Sequence, residues 1–353
     1  MYTKTILSAL AVFGAVSGKF LLSIYTSCNH QSSQIFYLLT LEHASALASS
    51  CAHVHLLTWH SFPAQTTNSR CNSDAEINAQ ADADNYATCT SIKGDVLIGS
   101  DAANTISLNG PRSITGSFRA ANATKLFSIG STSLESIGGT FELNGIEQLS
   151  TLTFSKLTSV GDIKWTALGR LGELTFPSII SSAKSVVITN TFLRNLDGIN
   201  LDTVATLDIS NNPRLTKVST QVTSISSLIN IAANSDDLEV ELPNLIWAKE
   251  MTFRNLSKVS IPSLSVVNGS LGFYATYMES LSAPNLTTVG NFGSAQGSLS
   301  LVANEKITNL TFPRLTSIGG AALIANNSVL QDISFPVLTQ VAGAVDMSGV
   351  FAT

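Results

Sequence analysis

A repeat constrains this chain more than any other feature. Leu310-Thr311-Phe312-Pro313-Arg314-Leu315-Thr316-Ser317-Ile318-Gly319-Gly320 returns as Ile333-Ser334-Phe335-Pro336-Val337-Leu338-Thr339-Gln340-Val341-Ala342-Gly343. Earlier copies are Leu152-Thr153-Phe154-Ser155-Lys156-Leu157-Thr158-Ser159-Val160-Gly161 and Leu174-Thr175-Phe176-Pro177-Ser178-Ile179. Partial copies sit at 242–245, 261–264 and 283–286. The proline position moves from 155 to 177, from 262 to 284 and from 313 to 336, steps of 22, 22 and 23 residues. The gap from 177 to 243 holds three such periods, and the longer step from 284 to 313 marks an insertion. A period in the twenties specifies a solenoid in which each coil is one supersecondary unit.

The repeat also specifies which side chains point inward. Leu143, Trp165, Ile231, Leu301 and Ile324 share one repeat position; Phe141, Ile163, Ile229, Leu299 and Ala322 lie two residues earlier. Residues two apart face the same side of a strand, so both sets belong to one buried face. After the proline, Leu157, Ile179, Leu245, Leu264, Leu286, Leu315 and Leu338 are expected inward. So are Val160, Val267, Val289, Ile318 and Val341. Glycines 161, 290 and 319 follow that second anchor, where a corner can use their freedom in φ. The few aliphatic groups of one coil cannot offset the entropy of ordering it, so coils must stack. About 12 coils fit between Cys89 and the end, a rod of roughly 55–60 Å. The expected class is therefore all-β: a right-handed β-solenoid or leucine-rich-repeat-like array.

Only 12% of residues are charged and the net charge is −5. With no basic face to neutralise phosphates, nucleic acid is not expected as a partner. Residues 1–17 read as a secretory signal, with Lys4 ahead of an apolar run from Ile6 to Val16 too short to span a bilayer. Residues 18–64 do not belong with the rest. They hold all five histidines (His30, His43, His53, His55, His60), two of the four cysteines (Cys28, Cys51) and no repeat. Gly18-Lys19-Phe20 can be encoded as G-GTAAGTTT and Pro63-Ala64 as CCAG-CN, a splice donor and acceptor. Removal of 64 − 18 = 46 codons keeps the frame. The segment thus reads as a retained intron and is expected to be disordered; a genuine, poorly ordered insert is the alternative.

The mature chain then starts near Gln65, and Cys71 and Cys89 are its only cysteines. An even pair in a secreted chain reads as a disulfide, here closing a cap over 65–90 ahead of the solenoid at 91–353. Asp74 to Asn85 has the composition of a short capping helix. N-glycosylation sequons stand at Asn122, Asn255, Asn268, Asn285, Asn309 and Asn326.

Cys71-Asn72, Asp82-Ala83-Asp84 and Cys89-Thr90-Ser91-Ile92-Lys93-Gly94-Asp95-Val96-Leu97-Ile98 resemble the start of the fungal GPI-anchored cell-wall proteins of the Ecm33/Sps2 family. The Phe-Pro-x-Leu-Thr-Ser-Ile-Gly-Gly repeats, and Leu207-Asp208-Ile209-Ser210-Asn211-Asn212-Pro213-Arg214-Leu215, are similar to that family's receptor L-domain-like repeats. The resemblance covers Cys71 to the end. It implies a right-handed solenoid, two L-domain-like halves meeting near 215–225, export, N- and O-glycosylation and a role in cell-wall integrity. It supplies no catalytic site. The chain stops at Phe351-Ala352-Thr353 in mid-repeat, before the family's Ser/Thr-rich stalk and hydrophobic GPI tail. Membrane attachment through a GPI anchor is thus an expectation from kinship.

Chemistry is sparse. Without 19–63 the chain has no histidine, which removes Ser-His-Asp triads and histidine metal sites. No P-loop or GxGxxG occurs. No catalytic, metal or cofactor-binding residue is expected, and no cofactor. A glycosidase would need clustered carboxylates, and Asp162, Asp208, Asp236, Asp237 and Glu250 are scattered over repeat positions. Phe273, Tyr274 and Tyr277 are candidates for sugar stacking, with ordinary packing as the alternative. Outward Ser and Thr form the polar half of alternating strands, a ladder for ice or glycan being the alternative. The reading is a non-enzymatic, glycosylated cell-wall protein with wall polysaccharide or other wall proteins as partners. A solenoid carbohydrate-active enzyme and a ligand-binding receptor ectodomain are the alternatives.

Overall fold

The computed structural model describes the strands Ala15–Val16, Lys19–Cys28 and Gln31–Leu39, and residues 69–349 apart from Ala103. Two compact units are present, Met1–Gln65 and Thr66–Thr353. In the first, Lys19–Cys28 pairs antiparallel with Gln31–Leu39, from Phe20 with Leu39 to Cys28 with Gln31. The disorder expected for 18–64 does not hold over these two strands. Their runs Phe20 to Thr26 and Ile35 to Tyr37 are rich in residues that favour extended pairing. The remainder of 18–64 lies outside the described residues, as does the expected signal at 1–17 apart from Ala15–Val16.

The second unit is a solenoid of parallel coils with three faces. In chain order within a coil, the first face is the strand that holds Phe141 and Leu143. The second is the Leu-Thr-Phe strand before the proline. The third is the Ser-Ile or Ser-Val pair after it. On the first face one column runs Ile77, Ile98, Ala120, Leu143, Trp165, Ile188, Ile209, Ile231, Phe253, Phe273, Leu301, Ile324, Met347, each in register with the next. Leu143, Trp165, Ile231, Leu301 and Ile324 therefore do share one column. The neighbouring column holds Phe141, Ile163, Ile229, Leu299 and Ala322. On the first face the register passes 215–225, Ile209 opposite Ile231. On the second face the ladder restarts at Lys217–Ser219, which pairs onward with Glu239–Glu241 and with no strand before it among the described residues.

Four details differ from the sequence expectations. Ile179 is not inward: it has φ +56° and is 43% exposed, while Ile180 is buried. This coil carries one extra residue after Pro177, and the chain places it outside in the left-handed region so that the next residue recovers the register. Gly161 and Gly319 serve proximity rather than φ. A Cβ on Gly161 would lie 2.5 Å from the Gly138 carbonyl oxygen, and one on Gly319 would lie 2.3 Å from the Asn291 nitrogen. Gly290, with φ +77°, does use its freedom. Finally, the segment around Asp74 to Asn85 is only partly helical: Gln80–Asp84 is one helical turn, and Ala75–Ile77 is a strand that pairs with Val96–Ile98. The cap is thus itself the first rung, tied by a disulfide between Cys71 and Cys89, whose Cα atoms are 5.6 Å apart. The expected insertion is the projection 291–296, closed by a bridge between Asn291 and Gln296.

Each coil turns from the first face at a left-handed residue. Asn122, Gly145, Ala167, Asn190, Asn211, Ala233, Asn255, Ala275, Ala303 and Asn326 occupy this corner in successive coils, with φ between 49° and 63°. The residue after it points inward, and here the core turns polar twice. Asn212 Oδ1 accepts from the Thr191 backbone N–H (3.0 Å) and hydroxyl (2.6 Å), and Asn234 Oδ1 accepts from the Asn212 backbone and side chain, both 3.0 Å. Thr276, Asn304 and Asn327 repeat the arrangement. Elsewhere the core is mainly apolar, with an edge-to-face group of Phe118, Phe141, Phe154, Trp165 and Phe176 and stacked pairs Phe253–Phe273 and Phe312–Phe335. At the far end Val345 and Met347 stand in inward columns yet are 58% and 49% exposed, because no further described coil covers them.

Candidate functional site

Each outer face presents columns of side chains at the strand spacing, about 4.8 Å. On the first face the outward column is charged in its N-terminal half. Arg119 pairs with Asp95 (2.9 Å) and Glu142 (3.8 Å), and Lys164 pairs with Glu142 (2.9 Å). Opposite charges one above another support the stack. On the second face Lys217 meets Glu241 at 3.0 Å and Lys258 meets Glu239 at 3.5 Å. The hydrogen bond from Lys217 holds the Glu241 carboxyl below the ordinary carboxylate value.

The carboxylates singled out from the sequence do not converge. Asp162 stands in a column that runs from Thr140 through Ser185 to Thr206, so Asp208 lies two coils and two residues away. Asp208 accepts from the Asn230 side chain at 2.9 Å, and Glu250 accepts from the Ser270 backbone N–H at 2.9 Å. Asp236 and Asp237 are exposed in a turn. Among the described residues no group of three His, Cys, Asp or Glu is placed to hold a metal ion.

The aromatic trio divides. Phe273 is buried and stacked on Phe253, centroids 5.3 Å apart. Tyr274 lies over Gly272, whose added Cβ would be 2.3 Å from the ring, and carries the Arg254 guanidinium at 4.3 Å. Tyr277 carries the Lys306 ammonium at 5.4 Å. None of the three offers a bare platform.

Of the six sequons, Asn122, Asn268, Asn309 and Asn326 are exposed. Asn255 and Asn285 are half-buried, and the Asn285 amide is engaged, donating to the Pro262 carbonyl (2.8 Å) and accepting from Arg314 (3.0 Å). Asn122, Asn255 and Asn326 sit at the left-handed corner, where asparagine is favoured for its conformation alone.

The third face holds a row the repeat did not single out. Ser91, Ser113, Ser136, Ser159, Ser182, Thr203 and Ser224 follow one another in register; Trp247 and Val266 then interrupt the hydroxyls before Thr288 and Ser317. Ser113 donates to Ser91 at 2.8 Å. The five hydroxyls from Ser136 to Ser224 take no protein partner among the described residues. The next column behaves differently: Thr287, Thr316 and Thr339 donate to carbonyls of the preceding coil at 3.0, 3.0 and 3.2 Å. Beside the free row runs a groove of about 380 Å³, lined by Ser182, Lys184, Thr203, Ala205, Ser224 and Ser226.

No family model and no solved structure matches the chain. Curated relatives do. It is 46% identical over 276 residues to the protein ecm33 of Aspergillus fumigatus, covering 78% of this chain and 68% of that one. This chain belongs to the Ecm33/Sps2 family. A cell surface GPI-anchored protein of Arthroderma benhamiae is 38% identical over 285 residues, covering 80% and 72%. The cell wall protein ecm33 of Schizosaccharomyces pombe is 34% identical over 227 residues, covering 63% and 54%. Membership of the Ecm33/Sps2 family places the chain outside the cell, as a protein of the fungal cell wall or cell surface.

Proposed function

We propose that this chain is a non-enzymatic, N-glycosylated wall scaffold. Its work is to hold a stiff, patterned exterior against wall polysaccharides or other wall proteins, tethered through a GPI anchor of the kind named for the Arthroderma relative. The observation that supports this reading is that the acids pair with cations or turn to solvent instead of facing one another. Glu239 and Glu241 share a strand but are held by Lys258 and Lys217, and Asp95 and Glu142 share Arg119. Asp162 and Asp208 are offset by two coils, about 10 Å, and two residues, about 7 Å. A glycosidase needs two carboxyl groups about 5–9.5 Å apart across one bond. Rigidity follows from the parallel ladder that runs unbroken along the first and third faces and from a close-packed core.

The test is complementation. A strain lacking the protein is given either the natural chain or one carrying Asp162→Asn, Asp208→Asn and Glu250→Gln. Both are expected to restore resistance to wall stress equally, and neither releases reducing sugar from isolated walls. Sugar release, or a correctly folded triple variant that fails to complement, refutes the reading.

A further inference from the structure

The geometry points to the third face, from Ser136 to Trp247, as a binding surface for a linear neutral polysaccharide of hexopyranose units. The proposal rests on the wall-scaffold reading and gives it a location and a ligand class.

Two independent observations meet there, and a third leaves the same coils accessible. The first is the free hydroxyl row. Ser136, Ser159, Ser182, Thr203 and Ser224 stack in register and take no protein partner among the described residues. Each offers a donor and an acceptor, the pairing that a sugar hydroxyl also offers. The rise per coil, about 4.8 Å, is close to the advance of one pyranose ring along an extended chain, so one polymer can keep step with several coils.

The second observation is Trp247. It is half-buried in register with Ser224 on one side and Val266 on the other, beside the 53% exposed Ile246. An indole gives a pyranose ring's C–H face something apolar to lie on. From Ser136 to Trp247 is five coil steps, about 24 Å. The groove beside the row is lined by hydroxyls and small groups with Lys184 its one charge. Glu135 and Asp202 in the adjoining column bring the tract to a sparse, mixed charge that suits a neutral polymer better than a polyanion or polycation.

The third observation is where glycans can attach. Only Asn122 of the six sequons precedes Trp247, and it lies at the corner between the first and second faces. Asn268 comes two residues after Val266, just past the tryptophan. The third face from Ser91 to Trp247 therefore carries no N-glycan acceptor, while the following coils carry five. Apart from Asn122 at their corner, the first and second faces of these coils are equally bare, so the sequons leave the N-terminal coils open without choosing among their faces.

The test uses the secreted, glycosylated chain and sedimentation with particulate glucan, with mannan and chitin particles alongside. Trp247→Ala is expected to lower retention about tenfold, the effect of one lost aromatic stack, and Trp247→Phe to restore most of it. Ser182→Asn with Lys184→Thr introduces an acceptor in the groove and is expected to abolish retention. The same device on the second face, Glu239→Asn with Glu241→Thr, leaves it unchanged. Thermal unfolding of each variant verifies the fold. Full retention by the Trp247→Ala and groove-acceptor variants overturns the proposal. So does a natural chain that complements the deletion strain yet binds none of the particles, a result that spares the wall-scaffold reading. Release of reducing sugar from the particles sinks that reading instead.

Discussion

Asn211 and Asn212 are neighbours with the same side chain and opposite tasks, and replacing each by alanine separates them. Asn211 is exposed at the left-handed corner with φ +58°. Alanine there loses the side-chain contact with Asn190 and adds steric strain, about 1–2 kcal/mol. Asn212 is fully buried. Its Oδ1 is the partner of the Thr191 N–H and hydroxyl, and its Nδ2 serves the Ile188 and Ser210 carbonyls at 3.0 Å each. Asn212→Ala leaves the Thr191 N–H buried without an acceptor, a cost of about 1–3 kcal/mol, and strips one partner from two carbonyls. A small void adds to this, for a total of about 3–5 kcal/mol. Leu168 and Leu256 occupy the same column, so an apolar residue fits wherever no neighbour depends on it. Urea unfolding followed by far-UV circular dichroism measures both variants at matched slope. Equal losses for the two asparagines, or a loss below about 1 kcal/mol for Asn212→Ala, would refute the ladder's role.

Ala233→Gly relieves a left-handed, exposed alanine and is expected to stabilise by about 0.5–1 kcal/mol in the same assay. Trp165→Phe is expected to cost about 1 kcal/mol and Trp165→Ala about 3–5 kcal/mol, because the buried Nε1 has no hydrogen-bond partner and the ring acts by volume. Replacing Cys71 and Cys89 together by serine is expected to cost about 3 kcal/mol, the entropy of an 18-residue closure, read as a lower thermal midpoint that added reductant no longer changes. The Glu241 carboxyl is held below its ordinary value by the hydrogen bond from Lys217. Its contribution is present above that ordinary value and is lost as pH falls through the lowered one. Lys217→Met is expected to return the Glu241 titration, followed by carbon NMR, toward 4.5, with little change in midpoint because the pair is exposed.

The columns of Leu143 and Phe141 were legible because a stacked fold repeats one environment, and one environment demands one residue type at one interval. Where the interval slipped, the reading slipped with it. Ile179 matches the Leu157 position by count, yet the chain spends it on a corner and gives the position to Ile180. The Thr191, Asn212 and Asn234 ladder went unread because a polar residue in a repeat looks like surface. The available signal was an asparagine directly after a corner residue, as in Asn211-Asn212, Ala233-Asn234, Ala303-Asn304 and Asn326-Asn327. The third-face serines were visible only as generic polar positions.

What the sequence determined by itself was the period, the inward aliphatic set and the family, all of which are properties of spacing along one chain. The closed cap, the buried amide ladders and the face that groups Ser136 to Trp247 depend on which coil lies over which. Only stacking decides that, because residues some twenty positions apart become neighbours solely through the ladder hydrogen bonds that fix their register.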